Sequence, residues 1–398
     1  MRILFLGLSL PKLEKSTYMY TGLVREINRQ GHDLLVIAPA YDKNITGLQE
    51  EMGVNVIRVP TFKLFRVGII QKGLANLMLP VQYKKWLKKY NIKKDFDLVI
   101  LPTPPITLYG LVKWFKKSAT PKVYLILRDI FPQNAVDLGI MKKNGLIHWY
   151  FRKKEKNLYR IADKIGCMSE GNIEYIKRHN PEILLSKMHI LANWADMVPL
   201  KEKSTLESFK EREGIVGKFV VVFGGNIGLP QKMENIVELA KACRDQEDIV
   251  FIIYGYGSEI DTLKQLVDKA ALSNIKLRNG LPQKEFINLL QFADVGLISL
   301  SENFTIPNIP SKALSYYNAR VPILASIDLN TDFGKILEKY KTGFWAEAGN
   351  TADLKVKLMM LYKDADLRRE MGNNGYNYMK EELSCKKAYQ ILISEIAK

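Results

Sequence analysis

The feature that most constrains this chain is an alternation of short apolar runs with longer segments of helical spacing, played through twice. It begins at once: Ile3–Leu8 is apolar, Tyr18–Arg29 carries apolar residues at helical spacing, Gly31 stops that helix, and Leu34-Leu35-Val36-Ile37-Ala38 is a second apolar run. Runs of this length suit strands buried on both faces, and a helix between two of them is the crossover of a parallel sheet. Val54–Val59, Leu98–Leu101, Val123–Leu127 and Lys164–Met168 continue the series. The pattern lapses at 190–196, and a charged stretch, Lys201–Arg212, leads into a second series. Its strands are Phe219–Phe223, Ile249–Tyr254, Ile275–Leu277, Val295–Ser299 and Pro322–Ala325. Its helices are Asn235–Asp245, Glu259–Ala271, Gln283–Phe292 and Ser311–Asn318, followed by Thr351–Met371 and Cys385–Ile396.

The reading is an α/β chain of two doubly wound domains facing across a cleft. The first spans 1–195, the second 196–380, and a last helical segment, 381–398, is placed to cross back to the first. A length of 398 residues, 47% hydrophobic and 25% charged, is enough for two cores. Cys167, Cys243 and Cys385 stand far apart with no CxxC pairing, which excludes a disulfide framework or a zinc site and fits a reducing cytosol. The opening run Ile3–Leu8 is short and has no small-residue cleavage site after it, so it reads as a strand and not as a signal peptide. The longest uncharged run, Leu98–Val112, is broken by Pro102, Pro104 and Pro105, and falls short of the roughly 20 residues of a spanning helix.

Charge is unevenly placed. Residues 1–200 hold 32 Lys and Arg against 16 Asp and Glu, whereas the remainder holds 27 against 26. The basic residues cluster with aromatics: Lys84-Lys85-Trp86 with Lys88-Lys89-Tyr90, Lys113-Trp114-Phe115-Lys116-Lys117, and 148–154, His-Trp-Tyr-Phe-Arg-Lys-Lys. Aromatic rings that enter a headgroup layer beside cations that pair with anionic lipid make an interfacial membrane surface. The expectation is a peripheral protein on the inner face of the cell membrane, with Lys84, Lys85, Trp86, Lys113, Trp114, Lys116 and Lys117 as the contact. Such charge also suits nucleic acid, but the chain carries no nucleic-acid-binding motif.

Open parallel sheets bind ligands at the carboxyl ends of their strands. In the second half the strongest such loop is Gly224-Gly225-Asn226-Ile227-Gly228, where adjacent glycines let a diphosphate approach the backbone and Lys232 follows within reach. Tyr254-Gly255-Tyr256-Gly257 and Gly280-Leu281 end two further strands. Pro310-Ser311-Lys312 places Ser311 as a helix cap with Lys312 in the first turn, a receptor for a departing diphosphate. In the first half, Arg128-Asp129 ends a strand, where Arg128 suits a diphosphate and Asp129 an acceptor hydroxyl. Thr103 and Ser16 lie at equivalent strand ends. None of the four histidines forms a motif.

The order Asn193-Trp194-x-Asp196, Gly224-Gly225-Asn226-x-Gly228, Tyr254-Gly255-Tyr256-Gly257, Gly280-Leu281, Ala293-Asp294-Val295, then Pro310-Ser311-Lys312 with Arg320-Val321-Pro322-Ile323-Leu324-Ala325 resembles bacterial family-4 glycosyltransferases. Within them it is most similar to the O-antigen and capsule branch that includes N-acetyl-L-fucosamine transferases. The resemblance implies the GT-B arrangement of two Rossmann-like domains, a UDP-sugar held by the second, and transfer with retention and without metal or other cofactor. It also implies a polyprenyl-diphosphate-linked saccharide acceptor on the first domain. On this reading Lys232, Lys312 and Asp129 are catalytic. The donor lies on Gly224, Gly225, Asn226, Gly228, Tyr254, Gly255, Tyr256, Gly257, Gly280, Leu281, Pro310, Ser311 and Ser315, and the acceptor on Ser16, Thr103 and Arg128. Many relatives carry two glutamates eight apart; the matching positions here are Pro307 and Ser315, neither acidic. The alternatives are a nucleotide-sugar epimerase of the same shape and a degenerate, membrane-bound partner of an active transferase.

Overall fold

The structure, a computed structural model, describes residues 1–8, 10–15, 19–40, 45–63, 68–201 and 207–398. By its internal packing the chain forms two units, 1–196 with 385–398, and 197–384. Among the described residues no helix is long and apolar enough to cross a membrane.

The first unit is built on an eight-stranded sheet. Its strands are β1 (Arg2–Leu6), β2 (Asp33–Pro39), β3 (Gly47–Glu51), β4 (Val54–Val59), β5 (Leu98–Pro102), β6 (Lys122–Ile126), β7 (Lys164–Cys167) and β8 (Met188–Ile190). They lie in the order β3-β4-β2-β1-β5-β6-β7-β8, and β3 alone among them runs antiparallel to its neighbour. β1 and β5 are buried nearly throughout, as a central strand covered on both faces by helices must be. The C-terminal helix Cys385–Ala397 packs here, its Cys385, Ala388, Leu392 and Ile396 joining the core of Ile3, Phe5, Leu23 and Trp194.

The second unit has a six-stranded, all-parallel sheet. Its strands are β9 (Phe219–Asn226), β10 (Ile249–Tyr256), β11 (Ile275–Asn279), β12 (Val295–Ser299), β13 (Ile323–Ile327) and β14 (Gly343–Glu347), in the order β11-β10-β9-β12-β13-β14. The direction of the sheet order changes at β9, so the space beyond the carboxyl ends of β9, β10 and β12 is the place where a doubly wound sheet takes a ligand. The helix expected over Thr351–Met371 is two helices, Thr351–Lys363 and Ala365–Glu382. Asp364 separates them: its backbone is extended and its carboxylate accepts from the Leu367 amide, an N-cap that starts the second helix.

Candidate functional site

In the second unit the glycines expected to form a loop after β9 lie inside the strand. Gly224, Gly225 and Asn226 pair with Tyr254, Gly255 and Tyr256 of β10, so both strands run on to the ligand end of the sheet. Two small residues facing each other let the ladder continue where side chains would collide. Gly224 is covered by the Phe286 ring, which also meets Tyr254 edge-on, so Gly224 and Tyr254 form the floor of the site and not its surface. A Cβ on Gly257 would lie 1.9 Å from the Ile227 carbonyl oxygen, so this glycine admits a close backbone crossing. The crossing is tied by the Ile227 amide to the Tyr256 carbonyl at 2.9 Å, and by the Glu259 amide to the Ile227 carbonyl at 3.1 Å. Gly225 stays exposed with φ +122°, and Asn226 is exposed beside it. Tyr256 rests on Gly280, its ring 61% exposed, with Leu281 next to it half-buried.

The loop after β9 is held by Gln231, whose Oε1 accepts from Asn226 Nδ2 at 2.9 Å and from the Gly228 amide at 3.2 Å. Lys232 follows in the left-handed region, φ 37° and ψ 73°. Its carbonyl accepts from Ser299 Oγ at 3.1 Å, and Ser299 accepts from Asn235 Nδ2 at 3.1 Å, a buried chain that holds this backbone. The Lys232 ammonium pairs with Glu302, just past β12.

Lys312 is the unusual cation. Its side chain passes under the sheet end so that Nζ lies 3.6 Å from the centroid of the Phe223 ring, and a Cβ on Gly225 would be 3.8 Å from it. Nζ is enclosed and has no hydrogen-bond partner among the described residues. Burial pulls its pKa down to about 7. A ring face returns about 2 kcal/mol to a desolvated ammonium, less than the several that desolvation costs, so the charged form is left largely uncompensated there. The sequence expectation is corrected here: the helix is Ala313–Asn318, Lys312 and not Ser311 stands at its cap, and Ser311 is exposed with no cap bond. Pro310 is half-buried before them and Ser315 is buried within the helix.

In the first unit Asp129 is exposed just beyond the end of β6. Thr103 and Arg128 are not. Thr103 Oγ1 is buried and accepts from the Arg128 amide at 3.0 Å. The Arg128 guanidinium donates to the carbonyls of Leu191 at 2.8 Å and Ala192 at 3.4 Å, and lies 4.5 Å from the centroid of the Trp194 ring. Burial lowers its pKa. Its role is therefore corrected from an acceptor contact to a brace for the chain after β8. Ser16 lies outside the described residues. Of the expected membrane surface, Trp114 lies against Lys84 at 5.3 Å and Lys94 at 4.1 Å, Trp86 against Lys89 at 4.3 Å, and Lys116 pairs with Asp163 at 2.7 Å. Lys85, Lys113 and Lys117 are exposed.

Comparison with known proteins bears on this geometry. Residues 206–378 match the family described as Glycosyl transferases group 1, and residues 17–197 the one described as Glycosyltransferase Family 4, so the two between them take in most of the chain. The chain is a GT-B glycosyltransferase. The probable glycosyltransferase WbjE of Pseudomonas aeruginosa is 24% identical over 282 residues, 69% of this chain and 68% of that protein. Among solved structures, HepE of Anabaena in complex with UDP-glucose superposes with a TM-score of 0.73 at 14% identity, covering 100% of this chain and 99% of that one. WaaG, a glycosyltransferase involved in lipopolysaccharide biosynthesis, does so with 0.68 at 14% identity, covering 98% and 99%.

For this glycosyltransferase, sequence reasoning assigned no role to three neighbours of these residues. Phe223 shields Lys312, Phe286 closes the floor over Gly224, and Glu302 holds Lys232. Glu302 had a signal, an acid following a strand end; the two phenylalanines look like core residues in any pattern. In the first unit Arg58 and Glu51 form a buried ion pair that also binds the loop after β1, through the Leu13 amide to Glu51 at 3.0 Å and Arg58 to the Pro11 carbonyl at 3.1 Å. Among the described residues no three His, Cys, Asp or Glu side chains gather as a metal site.

Proposed function

We propose that this glycosyltransferase moves a sugar from a UDP-linked donor to a lipid-linked saccharide, with retention of anomeric configuration, in the synthesis of a bacterial surface polysaccharide. The observation that carries the donor half is Lys312, an enclosed ammonium at the carboxyl ends of β9 and β10 with no hydrogen-bond partner among the described residues. A diphosphate supplies the missing counter-charge. In the reaction the bond from the sugar's anomeric carbon to the phosphate oxygen breaks, UDP leaves with the electron pair, and the ammonium stabilises the developing charge. The acceptor hydroxyl oxygen bonds to the anomeric carbon from the face that UDP leaves, and its proton passes to the departing phosphate oxygen. Lys232 joins by exchanging Glu302 for phosphate, and the exposed ring of Tyr256 offers a stacking face for the uracil. Asp129 orients the acceptor hydroxyl from the first unit.

A nucleoside diphosphate is supported further by HepE, whose structure holds UDP-glucose, and a polysaccharide product by the lipopolysaccharide role of WaaG. Calorimetry with UDP, GDP, ADP and their sugars, with and without Mg²⁺, tests the donor; selective, metal-independent UDP binding is expected. UDP binding without turnover on any lipid-linked acceptor favours the degenerate partner instead, a reading that the non-acidic Pro307 and Ser315 keep open. No nucleotide binding discards the assignment.

A further inference from the structure

Exposed apolar side chains of the first unit gather at the third basic-aromatic cluster, 148–154, and just before it. They stand at the start of the helix Leu146–Ile161: Leu146 is 89% exposed, Ile147 65% and Trp149 61%, with Tyr150 and, in the preceding loop, Ile140 also exposed. The reason is visible in the spacing. Glu155, Leu158 and Tyr159 form the buried face of this helix. Leu146, Trp149, Tyr150 and Lys153 fall on the opposite one, three to four residues apart. Among the described residues nothing covers the apolar end of that outward face.

The charge within the segment itself is of one sign. From Leu138 to Lys154 the chain has five cations, Lys142, Lys143, Arg152, Lys153 and Lys154, and no acid. Arg152 is spent inward, on Glu155 and on the Asn180 side chain at 2.7 Å. Lys142, Lys143 and Lys153 are exposed. Lys153 lies 5.1 Å from the Trp149 ring centroid and Lys154 5.3 Å from that of Tyr150, so ammonium groups rim the aromatic rings. An apolar tip of Leu, Ile and Trp bounded by lysines, with no acid in that segment, is a poor surface for solvent. It is complementary to one environment: the acyl boundary of a bilayer below an anionic headgroup layer.

We infer that the segment 138–154 is the membrane-docking element of this protein, with Leu146, Ile147 and Trp149 inserted below anionic headgroups and Lys142, Lys143 and Lys153 paired with them. The inference rests on the lipid-linked acceptor proposed above and names the surface that brings the enzyme to it. It also moves the contact away from Trp86 and Trp114, which are half-buried, to Trp149, which is exposed.

The test measures binding and not sugar transfer, so that it fails separately from the donor assignment. The full-length protein is sedimented with vesicles of phosphatidylethanolamine and phosphatidylglycerol, and with vesicles of phosphatidylcholine alone. The variants are Leu146→Glu/Ile147→Glu/Trp149→Glu, Lys142→Glu/Lys143→Glu/Lys153→Glu and, as a control, Lys113→Glu/Lys117→Glu. The altered positions are exposed, and unchanged circular dichroism and thermal unfolding verify the fold. Expected is a loss of partitioning of about tenfold or more for the apolar variant, persisting at high salt, and a comparable loss for the lysine variant only at low salt. The control variant should lose less than either. The inference is overturned if the apolar variant binds vesicles like the parent, or if the parent binds neutral vesicles equally well. It is also overturned if light scattering shows the parent as a dimer that the apolar variant dissociates, which would make a second copy the occupant of the patch.

Discussion

Replacing Lys312 with Met keeps the length of the side chain and removes its charge, and the consequences can be worked out from where Nζ sits. A lysine ordinarily titrates at 10.5; enclosure beside Phe223 brings Lys312 down to about 7. That difference corresponds to a penalty on the order of 4–5 kcal/mol for the charged form in the ligand-free protein. The sign follows from proton counts. Between about pH 7 and 10.5 the unfolded chain holds a proton that the folded one has lost, so the stability of the ligand-free protein rises with pH across that window. Below about pH 7 both states are protonated and the whole penalty is present. A bound diphosphate restores the ammonium, so UDP binding must take up a proton, about 0.1 at pH 6 and about 0.9 at pH 8. Its dissociation constant should then rise about tenfold per pH unit above 7, whereas a diphosphate's own last proton is gone near pH 6 and adds no slope there. Calorimetry in buffers of different protonation enthalpy counts these protons directly. Lys312→Met should show no uptake, weaker UDP binding at pH 6, and greater ligand-free stability than the parent at pH 6. Proton uptake that survives in the Met variant, or none in the parent, would refute the placement of the diphosphate on Lys312.

Other perturbations test neighbouring parts of the same account. Glu302→Gln releases Lys232 from its ion pair; both side chains are partly exposed, so UDP affinity should improve only about two- to fivefold, measured by the same titration. Gly257→Ala places a methyl 1.9 Å from the Ile227 carbonyl oxygen and should cost about 2–3 kcal/mol or more in urea unfolding, with donor affinity falling as the β10 crossing opens. Arg58→Met leaves Glu51 buried without its partner, at about 3–5 kcal/mol. Burial pushes the Glu51 carboxyl up, but the bonds from Arg58 and the Leu13 amide outweigh it and hold the pKa below the ordinary 4.5. The parent should therefore lose this contribution as pH falls through the acid range. The Met variant should instead lose least at low pH, where Glu51 can be neutral, which unfolding at pH 4 and pH 7.5 distinguishes.

Several strands could be read directly because each is a nearly unbroken apolar run: β1, β2, β5 and β9 are buried along almost their whole length, and a buried parallel strand has no polar face to obscure it. β3, β8 and β14 were not legible. Gly47–Glu51 reads GLQEE and alternates at an antiparallel edge, Met188–Ile190 has three residues, and Gly343–Glu347 is half-buried. The turn-forming look of Gly224-Gly225 misled for a related reason. The local signal of a glycine pair is a turn, and only the facing Gly255 makes it a strand.

What the sequence by itself determined was the class of architecture, the strand ends at which a doubly wound sheet takes a ligand, and the residue types there, including a lysine following Pro310-Ser311. These follow from hydrophobic period and from short-range backbone preference, both of which act over a few residues. What only the tertiary structure decided was the electrostatic state of each charged group. Arg128 is spent on Leu191, Ala192 and Trp194, more than sixty residues further along the chain. Lys232 is met by Glu302, and Lys312 by Phe223 and, among the described residues, by no counter-ion. Desolvation and pairing depend on which distant side chains arrive at a point in space, and a one-dimensional pattern carries no record of that arrival.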